Sequence, residues 1–251
     1  MQQISAVIIT LNEERNLENC IRSIQSVADE IIILDSYSTD ATLSIAEKYN
    51  CRIVQEQFIG FGPQKNRAIA LAKHAWILSI DADECLSDTL QASIQTWKQN
   101  TPTHSLYSMN RLTNYAGHWI RYGGWYPDTL LRLFNKQHAR FSDALVHEEV
   151  VFDNGNDMQK LKGDILHYSF PYVITHLRKI IKYSRIGAES DIKNGKTCSY
   201  LKYKFVPIWI FITQYIIKLG CLDGSAGWKV SYYSALAAKR KYGLIRKALK
   251  P

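Results

Sequence analysis

The first 85 residues alternate short apolar runs with segments of helical periodicity, and this alternation limits the possible folds more than any other feature of the chain. In the first helical segment, for example, apolar residues recur at Leu17, Ile21 and Ile24. Strands that alternate with helices predict an α/β protein with a mainly parallel sheet flanked by helices. In such sheets ligands bind beyond the carboxyl ends of the strands. The expected strands are 5–10, 30–34, 51–55 and 76–80, and the expected helices are 16–27, 39–49, 63–73 and 86–100.

Charge divides the chain near residue 170. Residues 1–171 carry 15 basic and 20 acidic residues, a net charge of −5, whereas residues 172–251 carry 16 basic and 3 acidic residues, a net charge of +13. The second part also contains helical stretches at 170–193 and 228–250. We therefore predict one domain over 1–170, with halves 1–100 and 101–170, and a basic, amphipathic helical region over 171–251.

Cysteine usage and the length of the apolar runs bear on the cellular compartment. The five cysteines are scattered, odd in number and without a CxxC pair, which disfavours a disulfide framework or a zinc site. No secretory signal precedes the first strand, and no apolar run reaches the roughly 20 residues that cross a bilayer. These features predict a cytoplasmic protein that does not span a membrane.

Acidic or hydrogen-bonding side chains follow three of the expected strands. Because parallel strands end at one edge of the sheet, we expect these side chains to converge there. A single Asp after a strand has a simpler explanation, a helix cap, and Asp40 is open to that interpretation. The three segments are TLNEE at 10–14, DSYSTD at 35–40 and DADE at 81–84.

Asp81 and Asp83 carry the most specific chemistry of the three segments. They leave the end of a buried strand at positions i and i+2, in an extended turn. One carboxylate can then accept a hydrogen bond from a sugar hydroxyl while the other binds a hard divalent cation, and oxygen ligands favour Mg²⁺ or Mn²⁺ over Zn²⁺. Such a cation neutralises the charge that develops on a diphosphate leaving group.

The same segments resemble a known family. TLNEE (10–14), DSYSTDAT (35–42), QKNRA (64–68) and DADE (81–84) are similar in order and spacing to the nucleotide-sugar-binding half of the family 2 glycosyltransferases, which have the GT-A nucleotide-diphospho-sugar transferase fold. Downstream, YGGWYPD (122–128), RLF (132–134) and VHEEV (146–150) resemble, less specifically, the branch that contains bacterial lipopolysaccharide core β-1,4-glucosyltransferases. Tyr37 departs from the pattern, because the family usually has a small residue there.

The resemblance implies a site for a UDP-sugar donor. Asp35 would contact the uracil or ribose, Asp81 would contact the ribose or donor sugar, and Asp83 would bind the metal. Lys65 would lie near the base or the phosphates, and in the alternative interpretation it lies on a solvated helix face. The implied donor-binding residues are Thr10, Asn12, Glu13, Asp35, Ser36, Lys65, Arg67, Asp81, Ala82 and Asp83.

The resemblance also implies an inverting reaction, which needs a general base opposite the leaving diphosphate. In this family an acidic residue downstream of the DxD segment serves, and here Glu148 is the expected base, with Glu149 as the alternative. Strand alternation puts these two carboxylates on opposite faces, so only one of them enters the site. His147 is expected to bind the metal or position the diphosphate, and is otherwise a structural histidine.

Aromatic and basic residues between these motifs are candidates for acceptor binding. Aromatic rings suit the apolar faces of sugars, and guanidinium groups suit acidic groups of the acceptor. Gly123 and Gly124 would let this loop move over a bound donor. In the alternative interpretation the aromatic side chains are core residues under a loop. The candidates are Arg121, Trp125, Tyr126 and Arg132.

The basic C-terminal region has two interpretations. In the first, its helices lie peripherally on the anionic inner face of the cytoplasmic membrane, with apolar side chains such as Phe205 and Trp209 inserted and lysines such as Lys202 and Lys204 at the head groups. In the second, the region caps the catalytic domain and its lysines are solvated. A nucleic-acid partner is not expected, because no base-reading motif accompanies the basic tail.

Together these features predict a metal-dependent, inverting hexosyltransferase. We expect transfer of a hexose, with glucose the leading candidate, from a UDP-sugar to the inner-core heptose of lipopolysaccharide. One alternative is a family 2 glycosyltransferase with another acceptor, such as a capsule, glycoprotein or polyprenyl-linked saccharide. A second alternative is a non-catalytic scaffold that binds a nucleotide sugar.

Overall fold

The structure is a computed structural model, and it describes residues 1–143, 149–152 and 158–248. Its first half is a parallel sheet in the order β3-β2-β1-β4 with helices between the strands, which confirms the predicted α/β alternation. The strands are β1 (Ile4–Thr10), β2 (Glu30–Asp35), β3 (Arg52–Gln55) and β4 (Trp76–Ser79), and the helices are α1 (Leu17–Ile24), α2 (Thr42–Lys48) and α3 (Phe61–Ala70).

Both faces of this parallel sheet are buried. Ala6 and Ile8 pack into one hydrophobic cluster, and Val7 between them packs into another. Alternate side chains of a strand point to opposite faces, so a continuous apolar run is the pattern of a strand covered on both sides. The apolar runs in the sequence therefore match strands that are buried on both faces of the sheet.

One helix begins later than its sequence pattern predicts. The pattern favours a start at residue 39, whereas α2 begins at Thr42. The intervening residues instead hydrogen-bond with the turn after β1: the Thr39 N–H donates to Asn12 Oδ1 at 2.8 Å and the Ala41 N–H donates to Glu14 Oε2 at 3.1 Å. Contacts from another part of the chain thus outweigh the local helical pattern.

The middle of the chain adds antiparallel strands to the same sheet. The elements are β5 (Glu84–Leu86), α4 (Asp88–Gln99), β6 (Leu106–Tyr115), β7 (His118–Ile120), β8 (Asp128–Asn135), β9 (Ala139–Phe141), β10 (Val150–Phe152) and β11 (Met158–Phe170). From β4 the order continues β8-β6-β11-β5, and β7 pairs with β6, which makes a mixed sheet of nine strands among the described residues. A separate two-stranded sheet joins β9 and β10.

The chain divides into two compact units. The first unit comprises residues 1–111 and 128–167, and the second comprises residues 112–127 and 168–251. The change in charge along the sequence predicts one boundary, near residue 170. In the structure, residues 112–127 belong with the C-terminal helices, because the chain enters the second unit within β6, returns to the first unit at the start of β8 and enters the second unit again within β11.

The C-terminal part of the second unit is helical. It consists of α5 (Val173–Lys193), α6 (Tyr200–Ile212), a π-helical turn (Thr213–Ile217), a 3₁₀ turn (Gly220–Asp223) and α7 (Gly224–Ala248). None of the described helices, taken singly, combines the length and the apolar composition of a membrane-spanning segment. One pair, Tyr200–Ile217 and Gly220–Ala248, bent by 75°, meets the criterion of length and composition together.

Candidate active site

The candidate site begins where β1 and β2 end. Thr10 and Asp35 lie opposite each other in the parallel register, and the Thr10 hydroxyl donates a hydrogen bond to Asp35 Oδ1 at 2.9 Å. The Asp35 carboxylate is fully buried and also accepts from the Ser38 N–H at 2.8 Å, from the Ser38 hydroxyl and from Gln55 Nε2 at 3.1 Å. Burial acts to raise the pKa of Asp35, but these hydrogen bonds outweigh it and lower the pKa. Asp35 is therefore an ionised anchor for the turn that follows it.

The turns after β1 and β2 hold each other in place. The Asn12 N–H donates to the Ser38 hydroxyl at 2.8 Å, and the Glu13 N–H donates to the Thr42 hydroxyl at 2.8 Å. Asp40 accepts from the Glu14 N–H at 3.1 Å and from the Thr42 N–H at the start of α2 at 3.0 Å, which fits the helix-cap interpretation of this aspartate. The expected uridine-binding residues of the first turn thus belong to a rim built by reciprocal hydrogen bonds.

Tyr37 stands at the tip of the second turn. Its φ of 64° lies in the left-handed region that favours glycine, and its side chain is exposed. The hydrogen bonds of Ser38 to Asp35 hold the residue in this conformation. Tyr37, where the family usually has a small residue, therefore leaves Asp35 and Asp40 in place and adds an aromatic ring to the surface of the turn.

Asp81, beyond the end of β4, is clamped between two cations. Its Oδ1 lies 2.8 Å from Lys65 Nζ, and its Oδ2 accepts a hydrogen bond from Arg132 Nη2 at 2.8 Å. Burial acts to raise the pKa of Asp81, but the charges of Arg132 and Lys65 hold it well below its usual range. Lys65 itself is buried, with its ammonium 5.1 Å from the centre of the Phe141 ring. The interpretation of Lys65 as part of a solvated helix face is wrong.

Arg132 joins Asp81 to a second, fully buried carboxylate. Its Nη2 also donates to Glu84 Oε1 at 2.9 Å, and Glu84 Oε2 accepts from the backbone N–H of Asp81 at 3.1 Å. Arg111 lies 3.5 Å from the same Glu84 oxygen and is bonded to Asp128 at 2.7 Å. We call this set the charge network, and its members are Lys65, Asp81, Glu84, Arg111, Asp128 and Arg132. The sequence suggests that Arg132 binds acidic groups of the acceptor, but in the structure its guanidinium group is paired with the carboxylates of Asp81 and Glu84.

Asp83 faces a histidine that the sequence analysis missed. Its Oδ2 lies 3.3 Å from His167 Nε2, and both side chains keep partial access to solvent, 26% for Asp83 and 14% for His167. His167 reaches this position because β11 pairs antiparallel with β5, which places His167 opposite Glu84. No local motif surrounds His167, so only the long-range strand pairing identifies it.

Asp83 and His167 fit a divalent metal ion of the kind the fold family implies. A carboxylate oxygen and an imidazole nitrogen are both ligands that Mn²⁺ accepts, and Mg²⁺ uses the carboxylate with its own waters. Among the described residues no group of three or more His, Cys, Asp or Glu side chains is arranged as a metal site. The remaining positions around such an ion would then be left to water and to the phosphates of a ligand.

The other predicted donor residues take varied positions. The Ser36 N–H donates to the Thr10 carbonyl at 2.8 Å, and Ala82 is buried. Arg67 pairs with Glu56 through two nitrogens, at 2.9 and 2.7 Å, on the exposed side of α3. The expected base Glu148 and its neighbour His147 lie outside the described residues. Glu149, the alternative base, is exposed, and its N–H donates to Ser142 Oγ at 3.2 Å.

Three of the predicted acceptor residues belong to the second compact unit. The Trp125 ring packs edge-on against Tyr115, with the ring centres 6.4 Å apart, and lies against Phe170, with the ring centres 5.7 Å apart. These contacts agree with the alternative interpretation of Trp125 as a core residue. The backbone N–H groups of Arg121 and Tyr122 donate to Asp223, at 3.1 and 2.8 Å. Tyr126 is half-buried and precedes Pro127 in a cis peptide bond.

The glycines of this segment permit a close approach between chain segments. Gly123 and Gly124 have φ values of 69° and 79°, and the Gly123 N–H donates to the Lys218 carbonyl at 2.8 Å. A Cβ on Gly124 would lie 2.7 Å from Lys218 Nζ. In the structure these glycines therefore allow the turn to adopt its conformation and to pack closely against the segment around Lys218.

The fold and the site define a class of protein. A parallel βαβ half, an Asp-Ala-Asp turn beyond its last strand, and antiparallel strands that complete the sheet form the GT-A architecture. The family model "Glycosyl transferase family 2" matches residues 5–147. The chain belongs to glycosyltransferase family 2.

Individual relatives cover most of the chain. An uncharacterized glycosyltransferase of Rickettsia bellii (strain RML369-C) is 33% identical over 98% of this chain and 86% of its own length. The lipopolysaccharide core biosynthesis glycosyltransferase LpsC of Rhizobium meliloti (strain 1021) is 30% identical over 84% of this chain and 80% of its own length. A solved structure of glucosyl-3-phosphoglycerate synthase from Mycobacterium tuberculosis, with Mn²⁺ and UDP-glucose, is 26% identical, covers 45% of this chain and 44% of that one, and has a TM-score of 0.37.

Proposed function

We propose that this family 2 glycosyltransferase transfers a hexose, glucose in the first instance, from a UDP-sugar to a heptose of the lipopolysaccharide inner core, with inversion at the anomeric carbon. The observation that carries the proposal is the pairing of a clamped Asp81 with an Asp83–His167 pair at the carboxyl edge of the parallel sheet. The likeness to LpsC favours an acceptor of the lipopolysaccharide core. Glucose and heptose are inferred from the sequence resemblance.

Asp81 and the rim beside it would bind the donor. Both Asp81 oxygens already accept from cations, yet 29% of the side chain is exposed, so its remaining lone pairs can accept a hydrogen bond from a ribose or sugar hydroxyl. Lys65 and Arg132 keep this carboxylate ionised and fixed in orientation. Asp35 and the hydrogen-bonded turns after β1 and β2 would shape the place for the uridine.

Asp83 and His167 would hold the divalent metal. When bound, the ion neutralises the charge that develops on the departing diphosphate. His147 is the histidine that the sequence resemblance suggests for this role, whereas His167 is the histidine that lies next to Asp83 in the described structure.

A general base must remove the proton of the acceptor hydroxyl. In this proposal Glu148 accepts the proton of the acceptor hydroxyl, while the oxygen of that hydroxyl forms a bond to the anomeric carbon. The bond from that carbon to the diphosphate oxygen breaks in the same displacement, and UDP leaves with the electron pair. Since the acceptor is built on a lipid, the reaction takes place at the inner face of the cytoplasmic membrane.

Donor turnover by the purified protein tests the proposal. UDP release is measured with UDP-glucose, UDP-galactose and UDP-N-acetylglucosamine, each with Mn²⁺, with Mg²⁺ and with a chelator. We expect metal-dependent turnover that favours UDP-glucose, and a loss of about a thousandfold in Asp83→Ala. Glu47→Ala, an exposed carboxylate on α2, is the matched control and should keep full activity. Absence of metal-dependent UDP release from every UDP-sugar, or full activity in Asp83→Ala, contradicts the assignment.

A further inference from the structure

We propose that an exposed apolar face of the second unit, running from α6 through the 3₁₀ turn, docks on the surface of an anionic lipid bilayer. On α6 the positions 201, 205 and 208–209 recur every three to four residues and so lie on one side of the helix. This side of the helix faces solvent, because Leu201 is 65% exposed and Trp209 is 60% exposed. The buried residue of α6 is Pro207. The docking face comprises Leu201, Phe205, Ile208, Trp209, Ile216, Ile217, Leu219 and Leu222.

The face is unusual because the helix turns its apolar side outwards. A helix on a protein surface normally buries its apolar stripe and exposes its charges. Single exposed apolar residues are ordinary, but a contiguous group of large ones marks an interaction site. Here eight large side chains within 22 residues are at least half exposed.

The charge around the face selects an anionic partner. From residue 192 to residue 222 the chain has no Asp or Glu and has five lysines. Lys204 lies next to Phe205, with its ammonium 5.7 Å from the ring centre, so cationic groups flank the apolar side chains directly. Apolar insertion combined with lysines is the requirement for adsorption to anionic lipids. Two copies of this chain would bring like charges together, which disfavours self-association through the same face.

The geometry fits a helix that lies in the interface and does not cross the bilayer. Together α6 and the π-helical turn form the continuous helix Tyr200–Ile217 of 18 residues, about 27 Å long, which is still shorter than the roughly 30 Å hydrocarbon core. Beyond α6 the chain is fastened to the body of the second unit: the Lys218 carbonyl accepts from the Gly123 N–H, and Asp223 accepts from the Tyr122 N–H. These contacts fix one end of the segment while its apolar side chains remain outside. The inference goes beyond sugar transfer, since it concerns a surface with its own ligand.

Vesicle flotation with the full chain tests this inference. Vesicles of phosphatidylcholine alone are compared with vesicles that also contain phosphatidylglycerol, at low and high salt. We expect binding to the anionic vesicles, weakened by salt, and at least a tenfold lower partition coefficient for Phe205→Glu/Trp209→Glu. Met158→Glu, a similarly exposed apolar residue in the first unit, is the matched control and should bind normally.

Two further readouts keep the result unambiguous. Thermal unfolding shows whether the double variant is folded; if it is not, Lys202→Gln/Lys204→Gln takes its place, with loss of the preference for anionic vesicles as the expected result. UDP release from a soluble donor, measured on the same variants, separates lipid binding from the proposed reaction. Unchanged vesicle binding in the folded variants overturns the inference. A dimer in solution that Phe205→Glu/Trp209→Glu dissociates, without vesicle binding by the wild type, also overturns it.

Discussion

Replacing Arg132 by Met removes the cation that two carboxylates share. In the wild-type protein Arg132 Nη2 lies 2.8 Å from Asp81 and 2.9 Å from Glu84, and the Glu84 carboxylate is fully buried. After the substitution Arg111, at 3.5 Å, is the cation left beside the Glu84 carboxylate in the described structure, and the Asp81 N–H still donates to Glu84 Oε2 at 3.1 Å. Breaking a buried ion pair from one side costs about 3–5 kcal/mol, because an uncompensated charge stays in the interior. We expect the free energy of unfolding to fall by that amount.

Urea unfolding measures this loss. With an m-value of about 2–3 kcal/mol per molar urea, the midpoint should fall by about 1–2.5 M. Arg132→Met/Glu84→Gln is the decisive variant, since it removes the stranded charge together with its partner. The double variant should be more stable than Arg132→Met alone, so the two substitutions are non-additive. A double variant that loses the sum of both single effects would refute the argument from charge.

The pH dependence of the same variant has a defined sign. The folded-state pKa of Asp81 is held below its ordinary value, against the effect of burial, by Arg132 and Lys65. A depressed carboxyl pKa contributes stability that is present above the unfolded-state pKa of about 3.9 and is lost as the pH falls below it. The stability difference between the wild type and Arg132→Met should therefore be largest near pH 7 and shrink as the pH falls through 4. A difference that grows towards acid contradicts the assignment.

Three further predictions concern single positions. Tyr37→Gly should raise the free energy of unfolding by about 0.5–1 kcal/mol, because the residue has a left-handed φ of 64°; a lower melting temperature would argue against strain there. Gly163→Ala should lower the free energy of unfolding by about 3 kcal/mol, because its Cβ would overlap the backbone nitrogen of Leu90 in α4. Gly195→Ala, at a φ of 71° but with open space around the Cβ, should lower the free energy of unfolding by about 1 kcal/mol; equal urea midpoints for the two variants would exclude the steric explanation. His167→Ala should raise the Mn²⁺ concentration for half-maximal UDP release by about tenfold or more, while the exposed His138→Ala leaves it unchanged; an unchanged metal requirement in the first variant would remove this histidine from the metal site.

The parallel half of the fold could be predicted because its physical cause is local. A strand covered on both faces must be apolar at consecutive positions, as at Ala6, Val7 and Ile8, and the helices between such strands must carry one apolar side. The turn with Asp81 and Asp83 was found for the same reason, since it directly follows such a strand. Element ends were less predictable: α2 begins three residues late because the preceding residues bond to the turn after β1.

The partners of the site residues could not be predicted in this way. Lys65 carries no local mark of burial, and its sequence allowed a solvated helix face. Arg132 is 51 residues from Asp81, and its aromatic and basic surroundings favoured a role at the acceptor. A charged side chain becomes a buried partner only when distant strands bring a counter-charge to it, and that arrangement has no periodicity in the sequence.

Sequence by itself therefore determined the class of fold, the sheet edge that carries the chemistry, and the contrast between an acidic first part and a basic last part. Tertiary structure alone decided which groups meet at that edge. His167 reaches Asp83 because β11 runs antiparallel beside β5, and residues 112–127 join the C-terminal helices because β6 continues into the second unit. The physical reason is that apolar periodicity records the burial of each segment, whereas ion pairs and metal ligands depend on strand pairings between residues far apart in the chain.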